Sequence, residues 1–323
     1  MTDEFTPPTE SELPADAEQR PHPGPNDRST AMTTTTLATH TLEVPGATLT
    51  YDVRGPLPTG DGTPPLLLIG QPMDAGGFAT LASYFTDRTV VTYDPRGLGR
   101  SVRHDGSTEH RPEQQAEDLH LLVAALGVGP VELFGSSGGA ITALALLTAH
   151  PGDVVRVVAH EPPAITVLPD AAQAEAVWRR VRDTFDAKGW GWGMASFIAM
   201  TSWQGEFTDD VLAEAPDPAM FGMPGEDDGA RTDPLLSGAS DPVVAYRPDV
   251  EALRSASVPL VLAAGIESKD TMTWRTTAAL AEKLGEELAV FPSNHGGFLG
   301  DEYGMPGQPE AFAARLREVL AAG

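Results

Sequence analysis

The 323-residue chain has no cysteine, which excludes disulfides, thiol nucleophiles and Cys-ligated metals together. Positive charge is scarce: 21 Lys and Arg face 46 Asp and Glu, leaving a formal charge of −25. A surface of that sign repels phosphate backbones, so no nucleic-acid partner is expected. Long hydrophobic runs are also missing. "PPLLLIG" and "AITALALLTA" fall far short of the roughly 20 apolar residues a spanning helix needs. No charged segment followed by an apolar one opens the chain, so no secretory signal is read. The expectation is a cytoplasmic protein with no membrane partner. What is present, 41% apolar and 21% charged residues, is ordinary for a folded domain.

Residues 1–36 are rich in Pro, Thr and acid and offer little to bury, so they read as a disordered tail, with Met32 as a candidate alternative start. From His40 the pattern changes. "HTLEVPGATLTYDVRG" alternates around Pro45-Gly46 as a hairpin does. Then β-rich runs at 66–70, 89–94, 130–135, 154–160, 258–265 and 287–291 come in turn with helical stretches, implying βαβ units. The expected fold class is α/β, a mostly parallel, doubly wound sheet flanked by helices. Its core covers 37–162 and 246–323, and a helical cap covers 163–245. That cap is rich in Trp and Met. Trp192, Trp203, Phe197 and Met200 are candidates to line a substrate pocket, the alternative being that they form the cap's own core.

"LFGSSGGA" places Gly135-Ser136-Ser137-Gly138-Gly139, a G-x-S-x-G, between an apolar strand and a helix. Small flanking residues allow the sharp turn that exposes a nucleophilic hydroxyl, here that of Ser137, at the N-terminus of the helix. His295, in "FPSNHGGFLG" after the last strand, is the candidate general base. The remaining histidines at 40, 104, 110, 120 and 150 have no metal-ligand spacing, so no metal and no cofactor are expected.

On these motifs the chain resembles the α/β-hydrolase family, and esterase-like actinobacterial members in particular, from about residue 40 onward. "YDPRGLGRS" is similar to the family's turn after its fourth strand, and "LIGQPMDAGGF" to its oxyanion loop, with Ile69 in place of the usual histidine. The resemblance implies an oxyanion hole made by the backbone N–H groups of Gln71 and Gly138, with the Gln71 side chain a further donor or a pocket wall. It also implies an aspartate three residues after Gly265, where the chain has Ser268. Glu267 comes one residue early and Asp270 two late. Some members of the fold, haloalkane dehalogenases among them, place the acid at the end of the sixth strand, the position of Glu161 in "VVAHEPPAI". A carboxylate ending a buried strand needs a partner. That favours Glu161 as the orienting acid, with Asp270 and Glu267 as alternatives. His160 is expected on the opposite face of the strand.

The function this implies is a serine hydrolase that cleaves an ester, lactone or thioester bearing an apolar group through an acyl-enzyme. Two alternatives share the motifs. One is an acyltransferase or perhydrolase on the same triad. The other is a non-hydrolytic binding protein or cyclase, supported by the missing aspartate.

Overall fold

The computed structural model describes residues 37–304 and 306–322; the tail expected over 1–36 lies outside them. The hairpin forms as the alternation requires: β1 (Leu37–Val44) and β2 (Ala47–Arg54) pair antiparallel across Pro45-Gly46. Next come β3 (Leu66–Ile69), the short helix α1 (Ala79–Ser83), β4 (Val90–Asp94), the two-residue β5 (Val102–Arg103) and α2 (Pro112–Leu126). β6 (Val131–Ser136), α3 (Gly138–Ala149) and β7 (Val154–His160) form the central βαβ unit.

The segment after β7 contributes α4 (Ala171–Lys188), α5 (Trp190–Ser202) and the single turn α6 (Asp241–Val244). The chain then returns through α7 (Val250–Ser255), β8 (Leu260–Gly265), α8 (Met272–Leu284), β9 (Ala289–Phe291) and α9 (Pro309–Ala321).

The strands run in the order β1-β2-β4-β3-β6-β7-β8-β9, with β5 pairing the first two residues of β2 on the side that β4 takes further along. From β4 to β9 every neighbouring pair is parallel. Side-chain alternation feeds two separate cores. Leu67, Ile69, Leu133, Val157 and Ala159 face α2, α3 and α8, whereas Leu66, Leu68, Phe134 and Val158 face α1 and α9. Coverage on both faces explains why the central strands are apolar throughout instead of alternating with polar residues. The chain leaves β3 toward β4 on one side and comes back to β6 on the other. This reversal places the carboxyl ends of β3 and β6 at a topological switch point, where open α/β sheets bind ligands.

A third cluster lies in the insertion and is largely its own: Ile165, Leu168, Val177, Trp178, Val181, Phe185, Met200, Phe207 and Leu236, with Met272 of α8 joining it.

Candidate active site

The turn from β6 into α3 is held by what its glycines lack. A Cβ on Gly135 would lie 2.6 Å from the Gly139 carbonyl oxygen, and one on Gly139 would lie 2.5 Å from that of Ile69. Both distances are shorter than any tolerable contact, so this crossing of β6, α3 and β3 requires glycine at both positions. Between them Ser137 adopts φ 57°, ψ −126°, a conformation that costs a non-glycine residue about 1–3 kcal/mol and persists only when its surroundings impose it. The Ser137 N–H donates to the His160 carbonyl at 2.9 Å, tying the turn to the end of β7.

β7 stops at His160, and Glu161 leaves it with φ 50°. Its carboxylate is fully buried and ringed by donors. Oε1 accepts the Gly265 N–H at 2.9 Å, and Oε2 accepts the Thr273 hydroxyl at 2.6 Å and meets His295 Nδ1 at 2.6 Å. Burial pushes the Glu161 pKa up, but the His295 hydrogen bond and charge, with help from His160 and Thr273, outweigh it and hold the group below the usual carboxylate range. Glu161 is therefore an ion at neutral pH. With Nδ1 engaged, His295, on the half-exposed loop after β9, keeps Nε2 for another partner.

The two other acids lie elsewhere. Glu267 is exposed and accepts from Gln308 Nε2 at 3.0 Å. Asp270 is exposed at φ 66° and lines an open groove of about 620 Å³ with Gln204, Trp274 and Arg275. Among the described residues neither has a hydrogen bond to His295.

The loop after β3 keeps its shape without the family's histidine. The Asp94 carboxylate accepts the Ala75 N–H at 2.9 Å and the Arg100 N–H at 2.8 Å, and Asp74 caps Gly76 at 2.9 Å. "YDPRGLGRS" thus anchors the loop from the neighbouring strand, and buried Arg96 is gripped by Asp118 through Nε at 2.6 Å. Gln71 and Gly138 do come together, with one added feature. The Gly138 N–H donates to the Gln71 carbonyl at 3.3 Å, the long end of the hydrogen-bond range. The Gln71 side chain is 2% exposed, and neither polar atom of its amide has a partner among the described residues.

The four aromatic and Met candidates are scattered. Met200 is fully buried in the insertion's own cluster, and Phe197 packs against it. Trp192 donates to the Gly225 carbonyl and stacks under Lys188, while Trp203 is 41% exposed and donates to the Glu206 carbonyl. Their placement fits a core and surface of the insertion itself.

Residues the sequence reading missed are Thr273, Gly265 and the pair Ser136–His160. Thr273 lies 112 residues from Glu161, and only the parallel register of β7 with β8 brings the start of α8 over the carboxylate. The structure also gathers His120, His150 and Asp153, which no spacing signalled. The two imidazoles stack in parallel at 4.0 Å and 10°, and their nitrogens already pair with Asp153 and Glu117. Parallel ring planes send nitrogen lone pairs side by side and not toward one point, as a metal would need.

A family model described as the alpha/beta hydrolase fold matches residues 64–299. The chain belongs to the α/β-hydrolase family. A protein of Bacillus subtilis (strain 168) named as the uncharacterized hydrolase YraK is 30% identical over 292 residues, covering 88% of this chain and 97% of that protein. Among solved structures, a thermophilic esterase from Thermogutta terrifontis superposes with a TM-score of 0.57 at 23% identity, over 88% of this chain and 98% of the other. An alpha/beta hydrolase from Sphaerobacter thermophilus gives 0.58 at 20% identity, over 87% and 100%. The protein is thus a hydrolase of this superfamily and an enzyme. Among the described residues no helix is long and apolar enough to cross a membrane.

Proposed function

We propose that the protein is a serine hydrolase acting on a carboxylic ester, lactone or thioester of a small molecule with an apolar group. The observation that carries this reading is the 2.6 Å contact between His295 Nδ1 and the buried, ionised Glu161. It fixes the tautomer that leaves Nε2 as a base, and the carboxylate stabilises the imidazolium formed when that base takes a proton. Ser137, on its strained turn, supplies the proton and attacks the carbonyl carbon. His295 then returns the proton to the leaving group, and water resolves the acyl-enzyme by the reverse path.

The oxyanion of the tetrahedral intermediate is met by the backbone N–H groups of Gln71 and Gly138. The long Gly138-to-Gln71 bond gives way at that moment, because a full negative charge competes well against a carbonyl at 3.3 Å. Such donors contribute about 3–4 kcal/mol of transition-state stabilisation each.

The test is labelling with a fluorophosphonate together with burst kinetics on p-nitrophenyl esters. Modification at Ser137, and a burst equal to the enzyme concentration, are expected. An enzyme that turns over these esters without labelling at Ser137 would refute the assignment.

A further inference from the structure

Behind the Glu161 carboxylate sits a second serine–histidine pair that the proposed reaction does not use. His160 is completely buried. Its ring packs on Phe134, Phe291, Phe298 and Phe312 at centroid distances of 5.2–6.2 Å, and it lies 6.1 Å from the ring of His295. Nδ1 is 3.0 Å from the Ser136 hydroxyl. Nε2 has no hydrogen-bond partner among the described residues and stands 4.0 Å from Glu161 Oε1. Among the described residues the titratable neighbours of this ring are Glu161 and His295, and the phenyl rings of β6, β9, α9 and the loop at Phe298 surround the rest.

We propose that Ser136 and His160 form a neutral relay, in which the Ser136 hydroxyl donates to His160 Nδ1 and so holds the ring as its Nε2–H tautomer, with that N–H turned toward Glu161. His160 is then a positioning residue that sets the basicity of His295 through the shared carboxylate. The inference rests on the triad proposed above.

The choice between tautomers follows from electrostatics. Were Nδ1 protonated, the Nε2 lone pair would lie 4.0 Å from a full negative charge in a place water does not reach. With Nε2 protonated, the positive end of the N–H dipole faces that charge instead. Interactions of this kind are several-fold stronger in a buried site than in water. The Ser136 hydroxyl, which rotates freely between donor and acceptor roles, completes the arrangement by donating. Protonating both nitrogens is opposed by burial, which pushes the ring down to about 4. Extra positive potential on Glu161 weakens its hold on the His295 imidazolium. Removing it therefore leaves Glu161 a stronger partner for the imidazolium.

Long-range ¹H–¹⁵N spectra of the wild-type protein at pH 7 read the tautomer directly. Protonation of His160 at Nε2 alone is expected; a proton on Nδ1, or on both nitrogens, overturns the proposal. The second arm uses His160→Phe, which suits the phenyl surroundings, and follows the rate of Ser137 phosphonylation against pH. The acid limb should move upward by about half a pH unit. An unmoved or lowered limb in a folded variant overturns the tuning role. If wild-type Ser137 is not labelled at all, the triad has failed and the tautomer alone judges the relay.

Discussion

The ends of two neighbouring strands carry the acids that compete for His295, and they could hardly differ more. After β7, Glu161 is buried, with a backbone N–H, a hydroxyl and an imidazole converging on it. After β8, Glu267 and Asp270 sit in water, tied to an exposed glutamine or lining an open groove. A carboxylate becomes useful to a histidine when it is ionised, dehydrated and fixed, because the hydrogen bond then acts in a low dielectric with one geometry. The β8 end offers carboxylates but no enclosure. What distinguishes the two sites is the set of donors supplied from elsewhere in the chain, chiefly Thr273 and Gly265.

The comparison can be broken most forcefully at Glu161. Glu161→Gln keeps the shape and removes the charge, so kcat should fall by about 10⁴-fold, as precedent for the acid of such a triad suggests. Stopped-flow turnover of a p-nitrophenyl ester, alongside circular dichroism to confirm folding, checks this. A loss under tenfold would return the role to the β8 loop.

Acid pH offers a second lever, of about 3 kcal/mol at each of two buried histidines. His160 is held near 4 by burial, and His110 likewise by burial and by the charge of Arg103, against about 6.5 in an unfolded chain. Below pH 6.5 the unfolded state therefore binds protons that the folded state refuses, and stability falls as pH drops from 6.5 toward 4, by up to about 3 kcal/mol per histidine. Glu161 works lower down. Its folded value is depressed, so its contribution is intact above the ordinary carboxylate range and is lost only as pH falls through the folded value. Urea melts at pH 8, 6 and 5 should show the decline, and His160→Phe should remove about half of it. A flat profile between pH 6.5 and 5 would mean that neither ring is kept neutral.

Thr273→Val sharpens the contrast from the donor side. It removes one hydroxyl from Glu161 Oε2 while preserving the volume at the start of α8. A hydrogen bond to a buried charge contributes about 1.5–3 kcal/mol. A loss of at least tenfold in kcat with KM little changed is therefore expected in steady-state assays. A raised KM with kcat unchanged would instead point to a binding role.

Much of this arrangement was legible in the chain, and the reason is local. The βαβ rhythm, the Pro45-Gly46 turn and the G-x-S-x-G junction are all set by neighbours in sequence, and each appears where the pattern puts it. Glu161 was readable as a carboxylate stranded at the end of an apolar run. Its wrapping was not, because Thr273 and Gly265 arrive from more than 100 residues away and look like any helix and strand terminus. The insertion was the least legible part. Trp192, Trp203, Phe197 and Met200 have the composition of a pocket, yet a residue type that lines a cavity also fills a core. Only contacts decide, and for Met200 they are with the insertion's own cluster.

The smallest expected effect is the most discriminating. Asp270→Asn and Glu267→Gln each remove a charge from the β8 loop, so they match Glu161→Gln in chemistry and differ in place alone. Both carboxylates are exposed, where water screens their field and the lost hydrogen bonds are replaced by solvent. Both should leave kcat within about twofold and stability within about 0.5 kcal/mol of the parent. Asp270 carries one complication. At φ 66° it occupies the left-handed region, which Asn tolerates at least as well, so the substitution adds no backbone strain that could pass for a catalytic defect. A large loss at Asp270 in a folded variant would therefore show that the β8 loop moves in to His295 during turnover, and that the buried carboxylate alone does not complete the site.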